Sequence, residues 1–85
     1  VRVSGDSMIN AYIGNNAILV VDRSVEHQHN SIVIAAISGS FTCKRLLTKP
    51  RLCLASENPK YPRIFIEEDE ELVIFGVVIA AINIY

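Results

Sequence analysis

The sequence lacks the excess of basic residues found in proteins that bind nucleic acids directly. Its 8 Lys and Arg residues are balanced by 9 Asp and Glu residues, and the formal net charge is −1 at pH 7. Because contacts with phosphates dominate the affinity for DNA, domains that bind it carry clustered Lys and Arg residues. We therefore expect no direct binding to nucleic acid.

The sequence also lacks a hydrophobic run long enough to cross a membrane as a helix. The longest apolar run, residues 72–82, has 11 residues, whereas a membrane-spanning helix needs about 20. The first residues do not have the basic and apolar regions of a signal peptide. The two cysteines, Cys43 and Cys53, are typical of reduced thiols in a cytosolic protein when secretory features are missing. We expect no membrane association and a cytoplasmic location.

Apolar side chains, by contrast, are abundant. Hydrophobic residues make up 51% of the 85 residues, and the mean hydropathy is +0.34, above the usual share for a soluble domain. A chain of this length is expected to form one domain, residues 1–85, whose own core is marginal in size. We therefore expect a second subunit to cover part of the apolar surface, as in a homodimer.

The apolar residues occur in short runs that are typical of β-strands. These runs are rich in Val and Ile and are bounded by Gly, Asn, Ser or Pro, and no stretch sustains a helical period of 3.6 residues. A two-residue turn at Ser38 and Gly39 predicts a β-hairpin. The sequence thus predicts a mainly β fold with little helix, with strands near residues 1–3, 17–22, 32–37, 40–47, 51–55, 63–67 and 72–82.

Two residues are candidates for catalysis: Ser7, in a turn that contains Gly5, and Lys44, on the second strand of the hairpin. A serine hydroxyl is a weak nucleophile and needs a base. Alternation along the strand places Lys44 and Arg45 on opposite faces, so one of them leans toward the body of the sheet. At an ordinary pKa of about 10.4, roughly one lysine in 2,500 is neutral at pH 7, so Lys44 can act as a base only if burial lowers its pKa. From composition and spacing alone, an ordinary strand lysine and an ordinary turn serine are the favoured interpretation, because a perturbed pKa is not visible in the sequence.

Several segments together carry a family resemblance that covers nearly the whole chain. Four of them are Val3-Ser4-Gly5-Asp6-Ser7-Met8, Phe41-Thr42-Cys43-Lys44-Arg45-Leu46, Glu57-Asn58-Pro59-Lys60-Tyr61 and Ile74-Phe75-Gly76-Val77-Val78. In order and separation they resemble the LexA/UmuD family of self-cleaving Ser–Lys peptidases. The segment Val21-Asp22-Arg23-Ser24 is more similar to the UmuD branch of SOS mutagenesis proteins than to the LexA repressors.

This resemblance implies a catalytic domain of twisted antiparallel sheets that acts on its own N-terminal arm. Ser7 would be the nucleophile and Lys44 the general base. The backbone N–H groups of Ser7 and Met8 would form the oxyanion hole, while the Met8 side chain packs in the core. Asp6 is expected to fix the turn through its backbone and has no assigned role in proton transfer.

The sequence departs from the family pattern in the loop that follows Met8. Family members usually carry Gly where this chain has Tyr12, and a Gly-Asp pair where it has Asn16 and Ala17. Asn tolerates a positive φ better than most residues, so the second turn can be kept. The Cys-Gly or Ala-Gly dipeptide at which the family cleaves itself does not occur in these residues. We therefore expect the substrate arm to lie outside them.

The resemblance also implies a function and partners. A UmuD-like bacterial protein is processed when a recombinase filament on single-stranded DNA stimulates self-cleavage. The processed homodimer then serves as an accessory subunit of a translesion DNA polymerase. Two alternatives are the catalytic and dimerisation domain of a LexA-type repressor, which would need a helix-turn-helix that these residues lack, and a non-catalytic dimeric interaction module.

No cofactor or metal is expected. His27 and His29 could share a face of an extended segment, but two ligands without a nearby cluster of Cys or carboxylates make a zinc site improbable. The acidic run of residues 67–71 is expected to be a solvated turn.

Overall fold

Six strands form one antiparallel sheet in the computed structural model, which describes all residues from 1 to 85. In the sheet the strands follow the order β1-β6-β2-β3-β4-β5. The only helical element is a 3₁₀ turn at Ile9–Ala11, so the predicted mainly β fold with little helix is confirmed. The strands are β1 (Ile18–Asp22), β2 (Ile32–Ile37), β3 (Ser40–Leu47), β4 (Cys53–Ala55), β5 (Ile64–Phe65) and β6 (Leu72–Ile82).

The hairpin of β2 and β3 is formed as predicted. Its pairs run from Ile32 opposite Arg45 to Ile37 opposite Ser40. The two turn residues, Ser38 and Gly39, have φ values of 50° and 88°. Positive φ angles at both central residues are typical of a type I′ turn, whose twist matches that of the strands it joins. The turn therefore fixes the register of β3 and, with it, the position of Lys44.

The prediction of a strand at residues 1–3 is wrong. In this segment only Arg2 pairs with another residue in a β-bridge, which is an isolated bridge with Ile18. The segment does run beside the start of β1, and the Val3 N–H donates to the Ala17 carbonyl at 2.8 Å. The pairing ends there because Asn16 has a φ of 70°, which turns the partner chain out of the extended conformation.

Apolar side chains pack on both faces of the sheet, because successive residues of a strand point to opposite sides. Ile34 of β2 belongs to a cluster on one face, and its neighbours Val33 and Ala35 belong to a cluster on the other. The first cluster is completed by Met8, Ile13, Ala17 and Leu19, and the second by Leu46, Leu54 and Val77. Met8 and Ile13 thus anchor the N-terminal segment, including Ser7, on the first face.

The structure contains no helix with the length and apolar character needed to cross a membrane.

Candidate active site

Ser7 lies in a turn, residues 4–8, which we call the serine turn. Gly5 has a φ of 93°, a conformation that favours glycine, and its N–H donates to Asn15 Oδ1 at 2.8 Å. The last residue of the turn, Met8, holds it in place, because its side chain is only 1% exposed. Burial of Met8 therefore keeps the neighbouring Ser7 at a defined position against the sheet.

Lys44 reaches Ser7 from β3. Strand β4 pairs with β3 only from Arg45 to Leu47, so Lys44 lies just before the paired stretch, where the edge of β3 is open. Its side chain is buried, and Nζ donates hydrogen bonds to Ser7 Oγ at 2.9 Å and to the Cys43 carbonyl at 3.1 Å. The two residues that were predicted as nucleophile and base are thus in direct contact, and no carboxylate forms an ion pair with the ammonium.

Burial lowers the pKa of Lys44 below its usual value, because a buried ammonium loses the solvation that favours its charge. The adjacent Cys43 opposes this effect only when its thiol is ionised. Burial raises the pKa of Cys43 to about 11, so the thiol is neutral at pH 7. Burial therefore shifts the equilibrium of Lys44 toward the neutral amine, the form that can accept a proton from the Ser7 hydroxyl.

A cavity of about 250 Å³ adjoins the two side chains. Ser7 and Lys44 line it together with mostly apolar neighbours, including Val1, Leu19 and Phe41. A volume of this size can hold one or two side chains of an extended peptide, with its backbone beside the hydroxyl.

The backbone around Ser7 leaves hydrogen-bond donors free. The N–H groups of Ser7 and Met8 donate no hydrogen bond within the chain, and Met8 N lies before the 3₁₀ turn that begins at Ile9. Free N–H groups beside a nucleophile are what an oxyanion hole requires. A hydroxyl, a buried amine and free N–H donors in this arrangement are together suited to acyl transfer.

Sequence reasoning missed the role of the Asp6 carboxylate, which was expected to act only through its backbone. Its Oδ1 atom accepts a hydrogen bond from the Tyr61 hydroxyl, and its backbone carbonyl accepts one from Asn58 Nδ2 at 2.9 Å. The Tyr61 hydroxyl lowers the pKa of Asp6, and the carboxylate in turn raises the pKa of Tyr61. The only signal for this contact was that the segment from Glu57 to Tyr61 belongs to the family resemblance.

The loop after Met8 keeps left-handed turns without the glycines of the family pattern. Tyr12 has a φ of 61° and Asn16 a φ of 70°. The side chain of Asn83 supports this loop, because its Nδ2 donates to the Tyr12 carbonyl at 2.8 Å and its Oδ1 accepts from the Gly14 N–H at 3.0 Å. The loop therefore forms its left-handed turns despite the departures in sequence.

The other candidate groups make structural contacts. His29 Nδ1 accepts from the Thr48 N–H at 2.9 Å, and no group of three or more His, Cys, Asp or Glu side chains is arranged around a common point. In the acidic run, Glu67 forms an exposed ion pair with Arg51 at 3.4 Å. Cys43 and Cys53 are both free thiols.

Comparison with known proteins identifies the family of this chain. The family model described as "Peptidase S24-like" matches residues 1–79. The chain belongs to the Peptidase S24-like family.

Three named relatives are similar to most of this chain. Protein MucA of Escherichia coli is 50% identical over 78 residues, which cover 91% of this chain and 53% of MucA. Protein SamA of Salmonella typhimurium is 45% identical over 83 residues, or 98% of this chain and 57% of SamA. A LexA repressor of Citrifermentans bemidjiense is 38% identical over 80 residues, or 92% of this chain and 40% of the repressor.

The identities show which branch of the family this Peptidase S24-like chain resembles more. The resemblance to the LexA/UmuD family is confirmed, and identity is higher to the UmuD-like relatives MucA and SamA than to the LexA repressor. The chain spans about half the length of these relatives or less.

Proposed function

We propose that residues 1–85 are a single Ser–Lys peptidase domain of a UmuD-like SOS mutagenesis protein, which cleaves an N-terminal arm of its own chain. The observation that supports this most is the 2.9 Å contact between Lys44 Nζ and Ser7 Oγ. It lies beside a cavity in a member of a peptidase family. The arm would be the source of the peptide that enters the cavity.

In the proposed reaction, neutral Lys44 takes the proton of the Ser7 hydroxyl while Oγ attacks the carbonyl carbon of the scissile peptide. The N–H groups of Ser7 and Met8 stabilise the negative charge on the carbonyl oxygen. Lys44, now an ammonium, gives its proton to the leaving amine as the C–N bond breaks, which leaves an ester on Ser7. Water, deprotonated by Lys44, then hydrolyses the ester and restores the hydroxyl.

This mechanism predicts the pH dependence of arm cleavage. Only the neutral amine acts as a base, and burial lowers the pKa of Lys44. Cleavage should therefore rise with pH through that lowered pKa and level off before the ordinary lysine value of about 10.4. The measurement is the rate of cleavage of an arm carrying Ala-Gly or Cys-Gly, joined ahead of Val1 or supplied as a peptide, between pH 6 and about 10.5. A rate that is flat with pH would contradict Lys44 as the base.

Substitutions test the two roles directly. Ser7→Ala and Lys44→Ala should each lower the cleavage rate by at least about 10³-fold, because nucleophile and base act as a unit. Lys49→Ala, at an exposed position outside the cavity, is the matched control and should cleave at the parent rate. Full activity in either active-site variant would falsify the assignment.

The wider function proposed for the chain is that of the UmuD branch, in the cytoplasm of a bacterium. A recombinase filament on single-stranded DNA would stimulate self-cleavage, and the processed homodimer would bind the catalytic subunit of a translesion DNA polymerase. The similarity to MucA and SamA supports this role. Adding such a filament to the arm-bearing chain should accelerate cleavage, and filament-independent cleavage at every concentration would argue against it.

A second candidate function is a dimeric interaction module whose Ser–Lys pair is idle. The exposed second half of β6, residues 79–82, favours an interaction surface. In that case the chain would dimerise and bind a polymerase without cleaving any arm. The catalytic and dimerisation domain of a LexA-type repressor, supported by 38% identity to such a repressor, would be distinguished by a helix-turn-helix ahead of Val1.

A further inference from the structure

The loop after β4 contacts both halves of the candidate active site. We call residues 56–61 the bridging loop. On one side it holds the serine turn: Asn58 Nδ2 donates to the Asp6 carbonyl at 2.9 Å, and the Tyr61 hydroxyl donates to Asp6 Oδ1. Just beyond the serine turn, the Asn10 N–H donates to the Glu57 carbonyl at 2.8 Å.

On its other side the bridging loop holds β3. Glu57 Oε1 accepts from Arg45 Nε at 2.7 Å, in an ion pair whose side chains are 28% and 32% exposed. Arg45 directly follows Lys44 and pairs with Ala55 of β4, and its guanidinium also donates to the Asn30 carbonyl. The loop is therefore attached to β3 at the residue next to Lys44.

This attachment matters because the serine turn and β3 share no backbone hydrogen bond. Ser7 and Lys44 are 37 positions apart in the chain, and apart from their own contact the polar connection between their segments runs through the bridging loop. Misplacement of reacting groups by about 1 Å can cost a large factor in rate. Burial of Met8 seats the serine turn on the sheet, and the bridging loop adds the polar contacts that set the relative position of the hydroxyl and the amine.

We propose that Tyr61 and Asp6 are positioning residues for the Ser–Lys pair: the Tyr61 hydroxyl holds the Asp6 carboxylate and so fixes Ser7 relative to Lys44. Neither side chain lines the cavity beside Ser7, so neither is a catalytic residue. The inference rests on the proposed peptidase function and deepens it.

Asn58 is less suitable for a test because it is 8% exposed, and loss of a buried polar contact destabilises the fold. Tyr61 is 41% exposed, so removal of its hydroxyl alone leaves the packing of the ring unchanged. Tyr61→Phe is therefore the diagnostic substitution. Tyr12→Phe makes the same chemical change on a ring that is 84% exposed and is its matched control.

The experiment measures kcat and KM for arm-peptide cleavage together with the rate at which a fluorophosphonate labels Ser7, followed by intact mass. We expect Tyr61→Phe to lower kcat and the labelling rate about tenfold, with KM and the melting temperature nearly unchanged. Tyr12→Phe should match the parent chain. Asp6→Asn, which keeps an acceptor oxygen, should retain most of the rate. Asp6→Ala, which also removes the exposed ion pair of Asp6 with Lys60 at 3.6 Å, should lose at least as much as Tyr61→Phe.

The double variant Tyr61→Phe/Asp6→Ala should be no slower than Asp6→Ala alone, since both changes remove the same contact. Parent rates in Tyr61→Phe, or an effect on KM alone, would overturn the positioning role while leaving the peptidase assignment in place. A parent chain that neither cleaves the peptide nor labels at Ser7 would overturn the proposed function and the positioning role with it.

Discussion

At the scale of single residues, Lys44 combines a catalytic opportunity with a cost in stability. Its pKa is lowered in the folded protein by burial, so the unfolded chain binds more protons between the lowered pKa and the ordinary value of about 10.4. The free energy of unfolding therefore rises with pH across that interval, and the cost is largest below it. At pH 7, burial of the Lys44 amine lowers the free energy of unfolding, a cost that an apolar side chain at this position would not carry.

Lys44→Met should thus stabilise the fold at pH 7 by about 1 kcal/mol while abolishing cleavage. For a domain of this size, that gain corresponds to a rise in Tm of about 4–8 °C. The loss of two hydrogen bonds from Nζ offsets part of the gain. Thermal melts at pH 7 and near pH 10 measure the gain in stability. The gain should be smaller at the higher pH, because the parent chain no longer buries a charged amine there. Lys49→Met, at an exposed position, is the control; a Lys44→Met chain that melts below its parent at both pH values would refute the account.

Single residues also show where sequence reasoning stops. Ser7 and Lys44 were selected because the family resemblance gave their residue types, order and separation, and their contact places them as expected. The contact between Asp6 and Tyr61 joins residues 55 positions apart, and no periodicity or spacing rule links a turn carboxylate to a distant phenol. Such a pair becomes visible only when the chain is folded.

At the scale of elements, β6 illustrates how a strand can be predicted while its irregularities are not. Its bounds, residues 72–82, agree with the prediction because the apolar run is continuous. Its pairing, however, shifts register between Val20 and Val21 of β1 and between Ile34 and Ala35 of β2. These shifts leave Ile79 and Phe75 as extra residues, each a β-bulge that bends the strand. The glycine beside Phe75 was the only local sign, since glycine inside a strand often marks a bulge or a close approach.

The close approach at Gly76 can be tested. A Cβ at this position would lie 2.5 Å from Val21 Cγ1 and 3.3 Å from the Asp22 carbonyl oxygen. Valine has little rotational freedom to yield, so Gly76→Ala should lower the free energy of unfolding by about 1–3 kcal/mol. Urea unfolding measures the loss. In the double variant Gly76→Ala/Val21→Ala, with Val21→Ala as the reference, the added cost of the Gly76 change should largely disappear; strictly additive effects would show that the crowding is not the cause.

At the scale of the whole molecule, one end of the sheet is poorly covered. Where β6 runs beside β1, residues 79–82 are all exposed, so this pair of strands presents apolar side chains on both faces. Ile79 is 57% and Ile82 is 52% exposed, and Val20 on β1 is 41% exposed. Two-stranded ribbons are marginal without further packing, and exposed apolar side chains that cluster in this way are typical of interaction surfaces. The high proportion of hydrophobic residues in the sequence thus reflects a surface as well as a core.

The homodimer proposed for this chain should therefore use the exposed end of β6. We expect the 85-residue chain to sediment as a dimer at micromolar concentration. Ile82→Lys should weaken the dimer by at least about tenfold in Kd, since it places an unpaired charge in the interface.

Val25→Lys is the matched control, because Val25 is 42% exposed but lies in the loop after β1, away from this surface. The Val25→Lys chain should remain dimeric. Equilibrium sedimentation of the parent and both variants decides the matter. A parent chain that is monomeric throughout this range would remove the homodimer, whereas a dimer that survives Ile82→Lys would place the interface elsewhere on the sheet.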